Sequence, residues 1–241
     1  MSEQVRVNRN VVFAGVANTT NNVEGNMNPD KRYRAWEFEE KALDTTNQYT
    51  QNLDTTSTIA VSSNGLLYTT AATDNKVATQ SFGGVTTLCA VNPVVEFRFQ
   101  VNDITNIGIF AGFNDANTEA AATMPFSLSV ATLTATCTDG VGFLFDTDQT
   151  LDYFNIVNNK NGTAAFTQLA STYVPVNATD ITLRVALDTT GKAYYWYNGV
   201  QVGVKADAVT TTVALIPFFG IKNMSASAHT ATLKYVRLWR D

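Results

Sequence analysis

The feature that most limits what this chain can become is a period-two alternation of apolar and polar residues, repeated in short runs from about residue 93 onward. Val95, Phe97, Phe99 and Val101 alternate with Glu96, Arg98 and Gln100, so the apolar set shares one face of an extended segment. Ile107, Ile109, Ala111 and Phe113 repeat the pattern, as do Val141, Phe143 and Phe145, and then Ile181, Leu183, Val185 and Leu187. A less regular run falls at Asp152, Phe154 and Ile156, and further runs at 211–221 and 230–239. No stretch of this region carries apolar residues at helical spacing, so helix is expected in less than about a tenth of the chain, against roughly a third in globular proteins at large. Strands at about ten-residue spacing with turn residues between them predict a sandwich or barrel.

Two turns carry a mechanism. Asp188-Thr-Thr-Gly191 closes a hairpin from 181–187 into 193–197, and Asn198-Gly199 supplies the two positive-φ residues of a type I′ turn into Val200, Val202 and Val204. The aromatic strand between them has rings on both faces: Tyr195 and Tyr197 on one, Tyr194 and Trp196 on the other. One pair belongs to the core and the other meets solvent, a ligand or a partner; Tyr194 and Trp196 are taken as the ligand or partner face, with Tyr153 as a further ring for a sugar platform.

The first ninety residues read differently. Residues 1–29 hold isolated apolar side chains and are expected to form an extended arm, with residues 30–241 as a single domain. Val5, Arg6, Val7, Arg9, Val11, Val12 and Phe13 are the arm residues expected to anchor in an assembly, since so sparse an apolar set cannot offset the entropy of ordering alone. Residues 32–40 predict a strand with Trp36 and Phe38 inward, and 58–62, 66–70 and 85–89 are shorter candidates.

Composition excludes more than it assigns. A net charge of −5 argues against nucleic acid as a partner. Charged residues are only 15% of the chain. Thr and Asn together supply roughly a quarter of it instead, a composition suited to strands and turns. The apolar run at 213–221 is far short of the roughly 20 residues of a membrane helix, and the polar N-terminal MSEQVRVNRN has no apolar signal region, so no membrane contact and cytoplasmic synthesis are expected. In that compartment Cys89 and Cys137 are expected as buried thiols. With one histidine, His229, read as an exposed loop residue, and two cysteines, neither a zinc set nor a Ser–His triad can be assembled, and no cofactor is expected.

Two constellations remain. Asp146, Asp148 and Asp152 put oxygens at alternate positions, as a weak calcium candidate, but Leu151 and Val157 stand where an EF-hand needs Gly and Glu. Glu37 and Glu39 share one strand face at a spacing near that of a retaining glycosidase pair, yet alternation with Trp36 and Phe38 makes them an ordinary solvated face.

The segment 182–202, TLRVALDTTGKAYYWYNGVQV, resembles the central hairpin of concanavalin A-like and laminin-G-like jelly rolls, and ATLKYVRLWRD at 231–241 resembles their closing strand. The resemblance implies an all-β fold, an antiparallel β-sandwich of the jelly-roll type with the N-terminal arm appended. Acidic, Thr-, Asn- and Ala-rich domains of this kind also resemble virion proteins of tailed bacteriophages. That likeness implies a non-enzymatic capsid decoration or cement protein, located in the virion, bound to the major capsid protein or other virion proteins, and homo-oligomeric with a trimer expected. The alternative is a carbohydrate- or receptor-binding, lectin-like module that recognises surface glycans.

Overall fold

The computed structural model describes residues 32–38, 49–82, 87–116, 119 and 122–241. In chain order the strands are β1 (Arg32–Glu37), β2 (Thr50–Leu53), β3 (Thr58–Ser62), β4 (Gly65–Thr69), β5 (Val77–Ser81), β6 (Val94–Val101), β7 (Ile107–Asn114), β8 (Phe126–Ser129), β9 (Thr132–Ala135), β10 (Gly140–Asp146), β11 (Asn155–Lys160), β12 (Thr163–Gln168), β13 (Ile181–Leu187), β14 (Ala193–Tyr197), β15 (Val200–Lys205), β16 (Ile216–Asn223) and β17 (Thr230–Arg240). Among the described residues the helical content is one 3-10 turn, Cys89–Val91. The expected all-β sandwich is what forms.

Two antiparallel sheets make the layers. The larger has eight strands in the order β15-β14-β13-β6-β17-β4-β3, with β1 also paired to β17; the smaller has seven, β12-β11-β10-β7-β16-β5-β2. The hairpin β8–β9 stands apart from both. Alternation decides what lies between the layers. Phe97 and Phe99 of β6 meet Phe219 of β16, with ring centroids 6.1 and 5.0 Å apart. Tyr195 of β14 meets Phe143 of β10 edge-on at 5.6 Å. Burying such rings is the main stabilising contribution, on the order of 2–3 kcal/mol for each large side chain removed from water.

The seven-stranded sheet is also buried on its outer face, which period-two reasoning did not anticipate. A second cluster of Val77, Phe110, Leu144, Val157 and Phe218 from the sheet is capped by Met124, Phe126 and Leu128 at the β8–β9 hairpin and by Cys137. Every residue of β7 and β10 is therefore buried.

The structure corrects several expectations. The irregular run at 152–156 is a strand only from Asn155, and the 211–221 run only from Ile216. Within 85–89, Thr87 makes an isolated bridge to Leu215, Leu88 is not in a strand and Cys89 opens the 3-10 turn. His229 is buried, at 4% exposure. Its backbone N–H donates to Thr70 Oγ1 at 3.0 Å, and its Nε2 lies 3.3 Å from Ser225 Oγ. Cys89 and Cys137 are free and buried. Phe38 joins the core as expected. The arm residues Val5, Arg6, Val7, Arg9, Val11, Val12 and Phe13 lie outside the described residues, as does Glu39.

Candidate functional site

The outer face of the eight-stranded sheet collects the side chains that alternation turned away from the core. Tyr195 is fully buried between the sheets, so Tyr194 and Trp196 point outward. Cross-strand register extends the face in rows. Trp196 stands beside Arg184 of β13, Arg184 beside Glu96 of β6, and Glu96 beside Arg237 of β17. In the next row Tyr194 stands beside Ala186, Ala186 beside Val94, and Val94 beside Trp239. Ala186 and Val94 thus separate Tyr194 from Trp239, while Arg184 and Glu96 fill the Trp196 row, across three strand spacings of roughly 4.8 Å each.

Tyr194 and Trp196 lie nearly parallel, 26° between planes and 6.3 Å between centroids, and both are half-buried. Their posture is set by the turn before them. Asp188 Oδ1 accepts the N–H groups of Thr190 (2.8 Å) and Lys192 (3.1 Å), while Oδ2 accepts the Tyr194 hydroxyl at 3.2 Å. Burial opposes ionisation of Asp188, but the hydrogen bonds from Thr190, Lys192 and Tyr194 outweigh it and hold the carboxyl below its usual range. The Lys192 ammonium sits 5.0 Å from the Tyr194 ring centroid, a cation–π contact that restrains the ring further.

The floor is a buried charge network. Arg184 and Glu96 are 6% and 1% exposed although they face away from the core. Arg184 Nε and Nη2 donate to Glu96 Oε2 at 2.7 and 2.5 Å, and the Tyr235 hydroxyl donates to Oε1 at 2.9 Å. The guanidinium of Arg184 lies 5.9 Å from the Trp239 ring, and that of Arg237 lies 4.1 Å from the Tyr235 ring. Glu96 is committed to these partners and is not presented as a general acid or base. The face offers stacking surface beside fixed dipoles, which suits binding more than bond cleavage.

Other sequence candidates separate in space or use. Asp146 is buried, accepting the N–H of Leu128 at 2.9 Å and of Asp148 at 3.0 Å, while Asp148 and Asp152 are exposed. Among the described residues no group of three or more His, Cys, Asp or Glu side chains could hold a metal ion. Tyr153 sits beside the Asn155–Gln149 network, its carbonyl accepting both amides, and takes no part in the β14 platform. Glu37 stands opposite Tyr235 in the β1–β17 register. Arg184 and Glu96 were invisible as a site in the sequence: each is the polar member of an alternating strand, and only the register joins them.

Comparison with models of known protein families finds no match, and comparison with curated protein sequences finds none either. Solved structures do match. The catalytic domain of an endo-1,3-beta-glucanase (laminarinase) from Thermotoga petrophila is 8% identical with a TM-score of 0.59, covering 88% of this chain and 99% of that one. LamAcat from Zobellia galactanivorans is 7% identical with a TM-score of 0.61, covering 86% and 96%. The Emp46p carbohydrate recognition domain, in its metal-free form, is 11% identical with a TM-score of 0.53, covering 83% and 94%. At such identities the likeness establishes the fold alone. It nevertheless corrects the expected kinship with virion decoration proteins: the similar sandwiches are glucanase domains and a carbohydrate recognition domain. The virion reading falls with it.

Proposed function

We propose that this protein is a non-enzymatic carbohydrate-binding module that seats a saccharide on the outer face of the eight-stranded sheet, against Tyr194 and Trp196. The observation that carries the reading is the near-parallel, half-buried ring pair on an outward face, restrained by Asp188 and Lys192 before any ligand arrives. Aromatic rings held in this way offer flat apolar surface to the C–H face of a pyranose at little further entropic cost. Asp188 and the Lys192 ammonium flank the rings and serve as acceptor and donor for sugar hydroxyls. Two facts support binding over hydrolysis. The outer face of the other sheet is filled by the β8–β9 hairpin, and the buried carboxylates of Glu96 and Asp146 are already engaged.

The test is affinity electrophoresis through gels containing laminarin, lichenan or xylan, followed by calorimetry with the best polysaccharide. Trp196→Ala and Tyr194→Ala are each expected to weaken binding about tenfold, equivalent to ~1.4 kcal/mol, with little change in melting temperature. Retention of full affinity by both variants would overturn the site. Release of reducing ends from the bound polysaccharide would overturn the non-enzymatic reading.

A further inference from the structure

At one edge the two sheets do not close over apolar side chains. The positions on β11 that face the interior run Ile156, Asn158, Lys160, and only the first belongs to the core. Opposite them on β15, Gly203 pairs with core Tyr195 and Lys205 pairs with core Ala193, so Lys205 also occupies an inward position. The sheets touch at Gly203, where a Cβ would lie 2.7 Å from Ile156 Cδ1, and a cleft of about 470 Å³ opens beyond that pinch. Asn158, Lys160, Thr163, Ala165, Lys205 and Asp207 line it. Small residues on β12 leave the space empty where a core would have filled it.

The polar groups of the cleft are unequally engaged. Lys160 forms an ion pair with Asp207, which commits the only carboxylate of the lining. Asn158 Nδ2 donates to the Ala208 carbonyl at 3.1 Å, fixing the amide at the base of the cleft. The ammonium of Lys205 has no partner among the described residues. Two lysines against one aspartate give the lining a net charge of +1 (2 − 1), in a chain whose net charge is −5. An unpaired cation in a recess, with an amide and a hydroxyl beside it, matches a carboxylate borne on a hydroxylated ring.

From this arrangement we infer a second binding site, in the β11–β12–β15 cleft, for an acidic saccharide unit of the hexuronate class. It is separate from the aromatic face and independent of whether that face binds sugar. The carboxylate pairs with Lys205, the Thr163 hydroxyl and Asn158 amide address ring hydroxyls, and Asp207 holds Lys160 in place at the rim.

Calorimetry and backbone-amide NMR with trigalacturonate, neutral galactotriose and acetate test the inference. Trigalacturonate is expected to bind, with shift changes at Asn158, Lys160, Thr163 and Lys205 and with affinity falling as salt is raised. Lys205→Ala should weaken it at least tenfold, Lys205→Arg should retain most of it, and Trp196→Ala should leave it unchanged. Galactotriose and acetate should not bind measurably there. Absence of trigalacturonate binding to the wild-type protein overturns the inference, and so does equal binding by Lys205→Ala. Equal binding of acetate would reduce the site to an anion pocket and overturn the saccharide assignment. Melting curves of the two Lys205 variants, on a half-exposed edge position, separate lost binding from lost folding.

Discussion

Asp146 carries a carboxyl into a place that water does not reach, at the root of the β8–β9 hairpin. Burial pushes it up to about 6, although the N–H groups of Leu128 and Asp148 and the charge of Lys222 pull the other way. A carboxyl raised in the folded state holds its proton where the unfolded chain has released it. Its contribution to stability is therefore complete below the unfolded value near 4 and is lost as pH rises through about 6, a change on the order of 3 kcal/mol. We expect the stability difference between wild type and Asp146→Asn to shift toward the variant between these pH values. The Asp146 carboxyl carbon should titrate near 6 by NMR, and a midpoint below 4.5, close to that of an ordinary aspartate, would refute this. The sequence offered Asp146 as a weak calcium candidate because it shows spacing, not solvation. His229 was misread in a more instructive way. It has the parity of Ala231 and Leu233, which face the core, so the β17 pattern already held the signal that SASAHTAT obscured.

At the scale of elements, the neighbouring strands β7 and β10 are as close as their glycines allow. Gly112 of β7 and Gly142 of β10 are direct partners, and a Cβ on Gly112 would sit 2.1 Å from the Val141 carbonyl oxygen, which is backbone and cannot yield. On Gly142 it would meet the Phe110 ring at 2.6 Å. Gly112→Ala is expected to cost at least about 2 kcal/mol in urea unfolding, through strand separation and displacement of Phe110 from under the hairpin. A variant as stable as wild type would show that the second cluster is not tightly packed. Legibility follows the same physics. Strands with one buried face announced themselves, and the Asp188–Gly191 turn already contained the choice between ring pairs: pairing Leu187 with Ala193 puts Tyr195 opposite core Val185. The β8–β9 hairpin did not announce itself, because its two-residue turn is Val130-Ala131, with Val130 at φ 56° in the left-handed region where a β-branched residue is rarely found. Strand β12 was missed because it is mostly exposed and its apolar residues, Ala164, Ala165 and Phe166, are consecutive rather than alternating, even though Asn161-Gly162, at φ 48° and 79°, is as clear a turn as Asn198-Gly199.

Across the whole molecule, the last strand is placed in the middle. β17 pairs with β6 on one side and with β4 and β1 on the other, joining segments from both ends of the described chain. Long-range pairing of this kind defers the favourable contacts until the loop entropy has been met. Removal of residues 230–241 should therefore abolish cooperative unfolding and near-ultraviolet circular dichroism altogether, since it splits the eight-stranded sheet; a truncated chain that still melts in one sharp step would contradict this. The same strand has a mechanical corollary. Arg32 at the start of β1 is registered against Arg240 at the end of β17, so a load applied at these two residues acts on one end of an antiparallel pair. Ladder hydrogen bonds run perpendicular to the strands, along such a pull, and are loaded singly instead of together. Tension across this corner peels the sandwich open like a zipper, long before any strand is forced to slide past its neighbour.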